Sequence, residues 1–160
     1  TMRATCAERG IALLGYGPLA GGFLSEAWLG QPDPGLTPTA LRPFGHVYRL
    51  LIDRFGGWAW LQDLLQVLAT RGATRGADIA TMALAWSLNK SGASALLVGI
   101  GSTRRALAYT RTLAIKLNVD DEAAIGAMLH RRAPVSGDVA DVERAQFLST
   151  IAADFDQPAA

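Results

Sequence analysis

The chain has 160 residues, half of them hydrophobic and 18% charged, against about 25% charged in an ordinary globular domain, a balance that excludes intrinsic disorder. Fifteen Lys and Arg face fourteen Asp and Glu for a net charge of +1, so no global field draws the chain to nucleic acid or to an acidic membrane. One cysteine, Cys6, rules out an internal disulfide; with no basic-then-apolar leader and no apolar run near the ~20 residues of a membrane span, the expectation is a soluble cytoplasmic domain.

Ala4 to Arg9 reads as a helix tail stopped by Gly10, a residue type that tolerates the left-handed backbone closing a helix. Ile11 to Tyr16 is an apolar run without polar alternation, the pattern of a parallel strand covered on both faces. Residues 24–57 read as one long loop, with Gln31-Pro32-Asp33-Pro34-Gly35-Leu36-Thr37-Pro38 at its irregular centre. Leu61, Leu64, Leu65 and Leu68 stand at helical spacing and predict a helix over Trp58–Ala69. A second helix is expected from Ile79 to Leu88, capped by Asp78, with Ile79, Met82, Ala83 and Trp86 on its apolar face. Ala95 to Ile100 forms a second buried-type strand. Ser102 is placed to cap a helix starting near Thr103. The last helix spans Asp121 to Arg131, with acids at its start and basic residues at its end as the helix dipole favours. Strands separated by helices indicate parallel α/β architecture.

Gly99-Ile100-Gly101-Ser102-Thr103-Arg104-Arg105 is the stretch richest in chemistry. Amide groups at a helix start favour anions, glycine admits a phosphate to the backbone, and arginine binds phosphate oxygens in pairs. Arg104 stands where a dinucleotide fingerprint needs glycine, which rejects that motif; the loops after the last two strands of a (β/α)8 barrel are another setting for such a site. The plainer reading, a capped helix with two solvated arginines, is the better supported by spacing alone. Tyr16 ends its strand where α/β proteins place ligands, with Gly15 and Gly17 beside it, and equally suits a packed rim tyrosine. His46 and His130 are too isolated for a metal pair. Cys6 reads as a packed thiol, Trp58, Trp60 and Trp86 as packing, and Asp138, Asp141 and Glu143 as a solvated tail.

Taken in order, these motifs resemble the C-terminal portion of an aldo/keto reductase. Gly10–Ser25 is similar to the family's seventh-strand motif, in which many members have serine where Gly17 stands and a subgroup has glycine. Arg54–Leu65 resembles a subgroup's extra helix, Ile79–Leu88 the seventh barrel helix, Leu97–Gly101 the eighth strand with its phosphate loop, and Gly137–Leu148 a C-terminal extension. The implied fold is the C-terminal part of a TIM (β/α)8 barrel, about two parallel strands with flanking helices. Residues 1–160 would form this partial barrel, with the loop 24–57 and an extension over about 133–160.

The resemblance implies an NADP(H)-dependent oxidoreductase, acting without metal, that reduces a carbonyl to an alcohol. Tyr16 would stack on the nicotinamide, and Gly17, Pro18, Leu19 and Gly21 would line the pyrophosphate path. Gly99, Ile100, Gly101, Ser102 and Arg105 would surround the adenosine 2′-phosphate. The family's basic residue in this loop falls on Gly101, and Arg104 with Arg105 would replace its charge. The catalytic tyrosine and its lysine, aspartate and histidine partners belong to earlier strands and are not expected in this chain. No general acid is therefore named: Lys90 and Lys116 are its lysines, and neither falls at a strand end. The expected partners are a small carbonyl substrate in a complete enzyme, and a complementing N-terminal half or a second copy on the open sheet. Leu13, Leu97 and Val98 would line that sheet's uncovered face. The alternative is a non-catalytic barrel fragment acting as a binding or scaffold protein.

Overall fold

In the computed structural model, which describes residues 2–36, 45–134, 141 and 144, the apolar stripe of the central helix organises the core. That helix, α3 (Gly57–Ala73), buries Leu61, Leu64, Leu65 and Leu68. It runs one turn beyond Ala69, and Gly72 in its last turn lets the chain that follows pack close. Arg75 N–H and Ala77 N–H both donate to Gly72 O, at 2.8 and 3.0 Å, and a β-carbon at Gly72 would meet Met82 Cγ at 3.1 Å.

The turn delivers α4 (Ile79–Lys90), capped as expected: Asp78 Oδ1 accepts from Thr81 N–H at 2.7 Å. Its apolar face is wider than the sequence spacing indicates. Every residue from Ile79 to Ala85 is buried, while Trp86 is only half-buried. A helix apolar on all sides is one surrounded by protein, and α4 packs against α3 and also against the strand Ala95–Leu97.

The final described helix, α6 (Val119–His130), begins two residues before the expected start. Asn118 Oδ1 accepts from Asp121 N–H at 2.9 Å and Asn118 N–H donates to Asp121 Oδ2 at 3.0 Å, a reciprocal cap. Ile125 and Met128 complete the core, and Trp60 Nε1 donates to Met128 O at 3.0 Å. The three tryptophans read as packing do pack: Trp58 meets Phe23 and Trp28 edge to face, and Trp60 and Trp86 lie against the core.

The continuous loop expected over 24–57 is corrected by the structure. A short 3-10 turn occupies Glu26–Trp28, following another at Ala20–Gly22 just before the segment, and α2 (Gly45–Phe55) fills the segment's end. Val47, Leu51, Ile52 and Phe55 recur at helical spacing and turn toward the protein, a pattern obscured by the Pro- and Gly-rich residues before it. Residues 31–36 form no regular element, and 37–44 lie outside the described residues.

Arg49, 4% exposed on α2, fastens that stretch. Its Nε donates to Asp33 Oδ1 at 2.8 Å, Nη2 pairs with Asp33 Oδ2, Nη1 lies 2.5 Å from Asp53 Oδ1, and the guanidinium stands 5.4 Å from the Trp58 ring centre. The hydrogen bond from Arg49, against the opposing effect of burial, holds the Asp33 carboxyl below its ordinary 3.8. A depressed folded value means that the contact stabilises above the ordinary carboxyl range and fades as pH falls through the folded value. Replacing Asp33 by asparagine is expected to cost about 1 kcal/mol at neutral pH, a small figure because the carboxylate is partly solvated. Chemical denaturation at pH 7 and at successively lower pH checks it, since the gap between wild type and variant should narrow toward the acid side.

The α1 helix (Met2–Glu8) stops before Gly10, which adopts φ +64° as expected. The strands are shorter than the apolar runs containing them. Strand β1 (Leu14–Tyr16) pairs in parallel with β2 (Ala95–Leu97) in the register Leu14 to Ala95, Gly15 to Leu96 and Tyr16 to Leu97. Coverage on both faces is also corrected: Leu14, Tyr16 and Leu97 are 60%, 61% and 59% exposed. The bare face therefore includes Leu97, but Leu13 and Val98 are half-buried and Leu14 is uncovered instead. No helix among the described residues is long and apolar enough to cross a membrane.

Candidate functional site

Parallel pairing gives both strands the same direction, so the segments after Tyr16 and Leu97 leave the sheet at one edge. The two stretches singled out by sequence, Tyr16 to Gly21 and Gly99 to Arg105, are thereby brought to a common edge although some eighty residues separate them.

The first segment is a left-handed turn. Gly17, Gly21 and Gly22 have φ of +63°, +65° and +99°, and Ala20 between them has φ +48°. An alanine with positive φ is strained by its β-carbon, and the surrounding bonds hold it there. Ala20 N–H donates to Gly17 O at 2.9 Å, Gly22 N–H to Leu19 O at 2.9 Å, and Leu24 N–H to Leu19 O at 3.2 Å. Phe23, 2% exposed, then drops into the core between Trp28 and Trp58 and anchors the turn. Pro18 and Leu19 are half-buried within the turn, whereas Tyr16 stands exposed at the strand end.

The second segment runs from Gly99 and Ile100, both exposed, into α5 (Thr103–Thr110). Ser102 caps it as expected, Oγ accepting from Arg105 N–H at 3.3 Å. No acid lies in the first turn, while Arg104 and Arg105 both do. Cations at a helix start oppose the dipole, each by about 0.3–1 kcal/mol, so the turn is electrostatically suited to an anion. Arg105 curls back toward Gly101, where a β-carbon would be 3.6 Å from its Nη1. Gly99 has open space where a side chain would stand. Below, burial raises the Tyr109 phenol while the Arg105 charge opposes it.

The remaining candidates lie elsewhere. His46 is on α2 and His130 ends α6. Cys6 is a half-buried free thiol on α1. Lys90 pairs with Glu122 at 2.7 Å and Lys116 is exposed after α5. Asp141 pairs with Arg144, and Asp138 and Glu143 lie outside the described residues, as do most of 133–160. No group of three or more His, Cys, Asp or Glu among the described residues is arranged to hold a metal ion.

Sequence reading missed Tyr48. Projecting from α2, it lies against the glycine turn: a β-carbon on Gly17 would collide with its hydroxyl, and one on Gly21 would lie 2.6 Å from its Cδ2. Its position on a helical stripe with Val47 and Leu51 was the available signal.

Compared with known families, residues 1–129 match the model of the aldo/keto reductase family. That family implies a (β/α)8 barrel, with which two parallel strands and their helices are consistent as a part. No curated protein matches the chain.

Proposed function

This chain belongs to the aldo/keto reductase family, and from that premise we propose that it carries the NADP(H)-binding C-terminal part of an oxidoreductase that reduces a carbonyl to an alcohol. The single observation carrying this reading is that the two loops leave the parallel strands at the same end, with two arginines and no acid at the start of α5. NADP(H), when bound, supplies the hydride for that chemistry. On the protein side, Tyr16 would offer its ring to the nicotinamide, and Gly17, Pro18, Leu19 and Gly21 a backbone path for the pyrophosphate. Gly99, Ile100, Gly101 and Ser102 would admit the 2′-phosphate close to the main chain, and Arg104 and Arg105 would bind its oxygens. The bare apolar face of Leu14, Tyr16 and Leu97 supports association with further strands, from a complementing N-terminal half or from a second copy.

Fluorescence titration of the 160-residue chain with NADPH and NADH is the test. NADPH should bind more tightly, and replacing Arg105 by alanine should weaken it about ten-fold, as loss of one charged hydrogen bond predicts, with little change for NADH. Equal affinity for both nucleotides would overturn the 2′-phosphate assignment. Binding of neither would favour the non-catalytic scaffold.

A further inference from the structure

We infer that Tyr48 is the positioning residue of the glycine turn, and that the ring of this tyrosine, delivered by α2, sets the backbone that carries Tyr16. The inference rests on the cofactor reading above and adds a residue from outside the two candidate loops.

The hydroxyl of Tyr48 stands where a side chain at position 17 would begin, and the ring edge stands where one at position 21 would begin. Both positions are left-handed, at φ +63° and +65°. Glycine is thus required twice over at each, once by the backbone and once by the tyrosine. The same contact explains why glycine rather than serine occupies position 17 in this chain: a serine β-carbon has no room. Packed against the turn from one side, the ring blocks rearrangement toward itself, while Phe23 anchors the turn's far end in the core. Tyr48 is in turn held by its neighbour on α2. Arg49 ties the helix to Asp33 and packs over Trp58. A chain of contacts therefore runs from the 31–36 segment through α2 to the residue after Tyr16.

Such a role differs from simple packing in what it affects. A ligand resting only on the α5 end should not sense the turn, whereas one spanning both loops should. The probes are NADPH and 2′,5′-ADP, titrated into the wild-type chain and its Tyr48→Phe and Tyr48→Ala variants. Phenylalanine keeps the ring and should bind both probes within about two-fold of wild type, while alanine should weaken NADPH by about ten-fold or more and leave 2′,5′-ADP unchanged. Equal loss of both probes in Tyr48→Ala, or loss of neither, would overturn the inference. A wild-type chain that binds neither probe would refute the cofactor reading itself.

A ligand-free measurement separates the two. Gly21→Ala and Tyr48→Ala should lower the unfolding temperature less together than the sum of the single losses, since removing the ring removes the clash. Losses that simply add would show that the ring does not hold the turn, whatever the chain binds.

Discussion

Replacing Asp121 by alanine is expected to destabilise the fold by about 3 kcal/mol, the scale for removing one partner of a buried ion pair together with a helix cap. The Asp121 side chain is wholly buried, with one partner on Oδ1 and two on Oδ2. Oδ1 accepts from Arg71 Nε at 2.7 Å, and Oδ2 pairs with Arg75 while also accepting from Asn118 N–H at 3.0 Å. Burial alone would raise its carboxyl, but the hydrogen bonds from Asn118, Arg71 and Arg75 outweigh it and hold the group below the ordinary 3.8. Both arginines are about three-quarters buried, so they regain some hydration when the carboxylate is lost, which keeps the cost at the lower end of that scale.

The sign of the pH dependence follows from the depressed value. The contribution of Asp121 is fully present above the ordinary carboxyl range and disappears as pH falls through the folded value. Urea denaturation of wild type and Asp121→Asn across pH 7 to 2 should show a gap at neutral pH that narrows on the acid side. A gap independent of pH would mean that the cap, not the charge, carries the effect.

Local chemistry was legible in the sequence and tertiary chemistry was not. Asp78 and Ser102 announce helix starts because a cap reaches only three residues, to Thr81 and Arg105. Gly10 likewise marks the end of α1 from its own backbone needs. Asp121 looked like one of three equivalent acids at a helix start, since its arginines lie 50 and 46 residues away, on and just after α3. The α2 helix was hidden because its apolar spacing begins only after a stretch of proline and glycine. Strand length depended on a partner that the apolar run does not specify. Of the candidate site, each loop was visible singly; their exit from the same end of the sheet comes from the parallel β1–β2 pairing, and the Tyr48 contact from the docking of α2.

Phe23→Ala should be costlier still, about 3–5 kcal/mol, the range for truncating a fully buried phenylalanine and leaving its cavity. Phe23 packs 5.0 Å from the Trp28 ring centre and 6.0 Å from that of Trp58, two large rigid rings that do not collapse readily into the space. The residue also follows the strained turn directly, so its loss removes the anchor that holds Ala20 and Gly21 left-handed. Two effects are then expected from one substitution: a lower midpoint in chemical denaturation, and faster amide hydrogen exchange over residues 17–22. Leu68→Ala, equally buried but on α3, serves as the control, with lowered stability and exchange in the turn rising only as far as global unfolding requires. If both variants change the turn alike, Phe23 acts through overall stability alone. If only Phe23→Ala loosens it, the core and the candidate site share that one side chain, and the turn's geometry depends on aromatic packing as well as on its glycines.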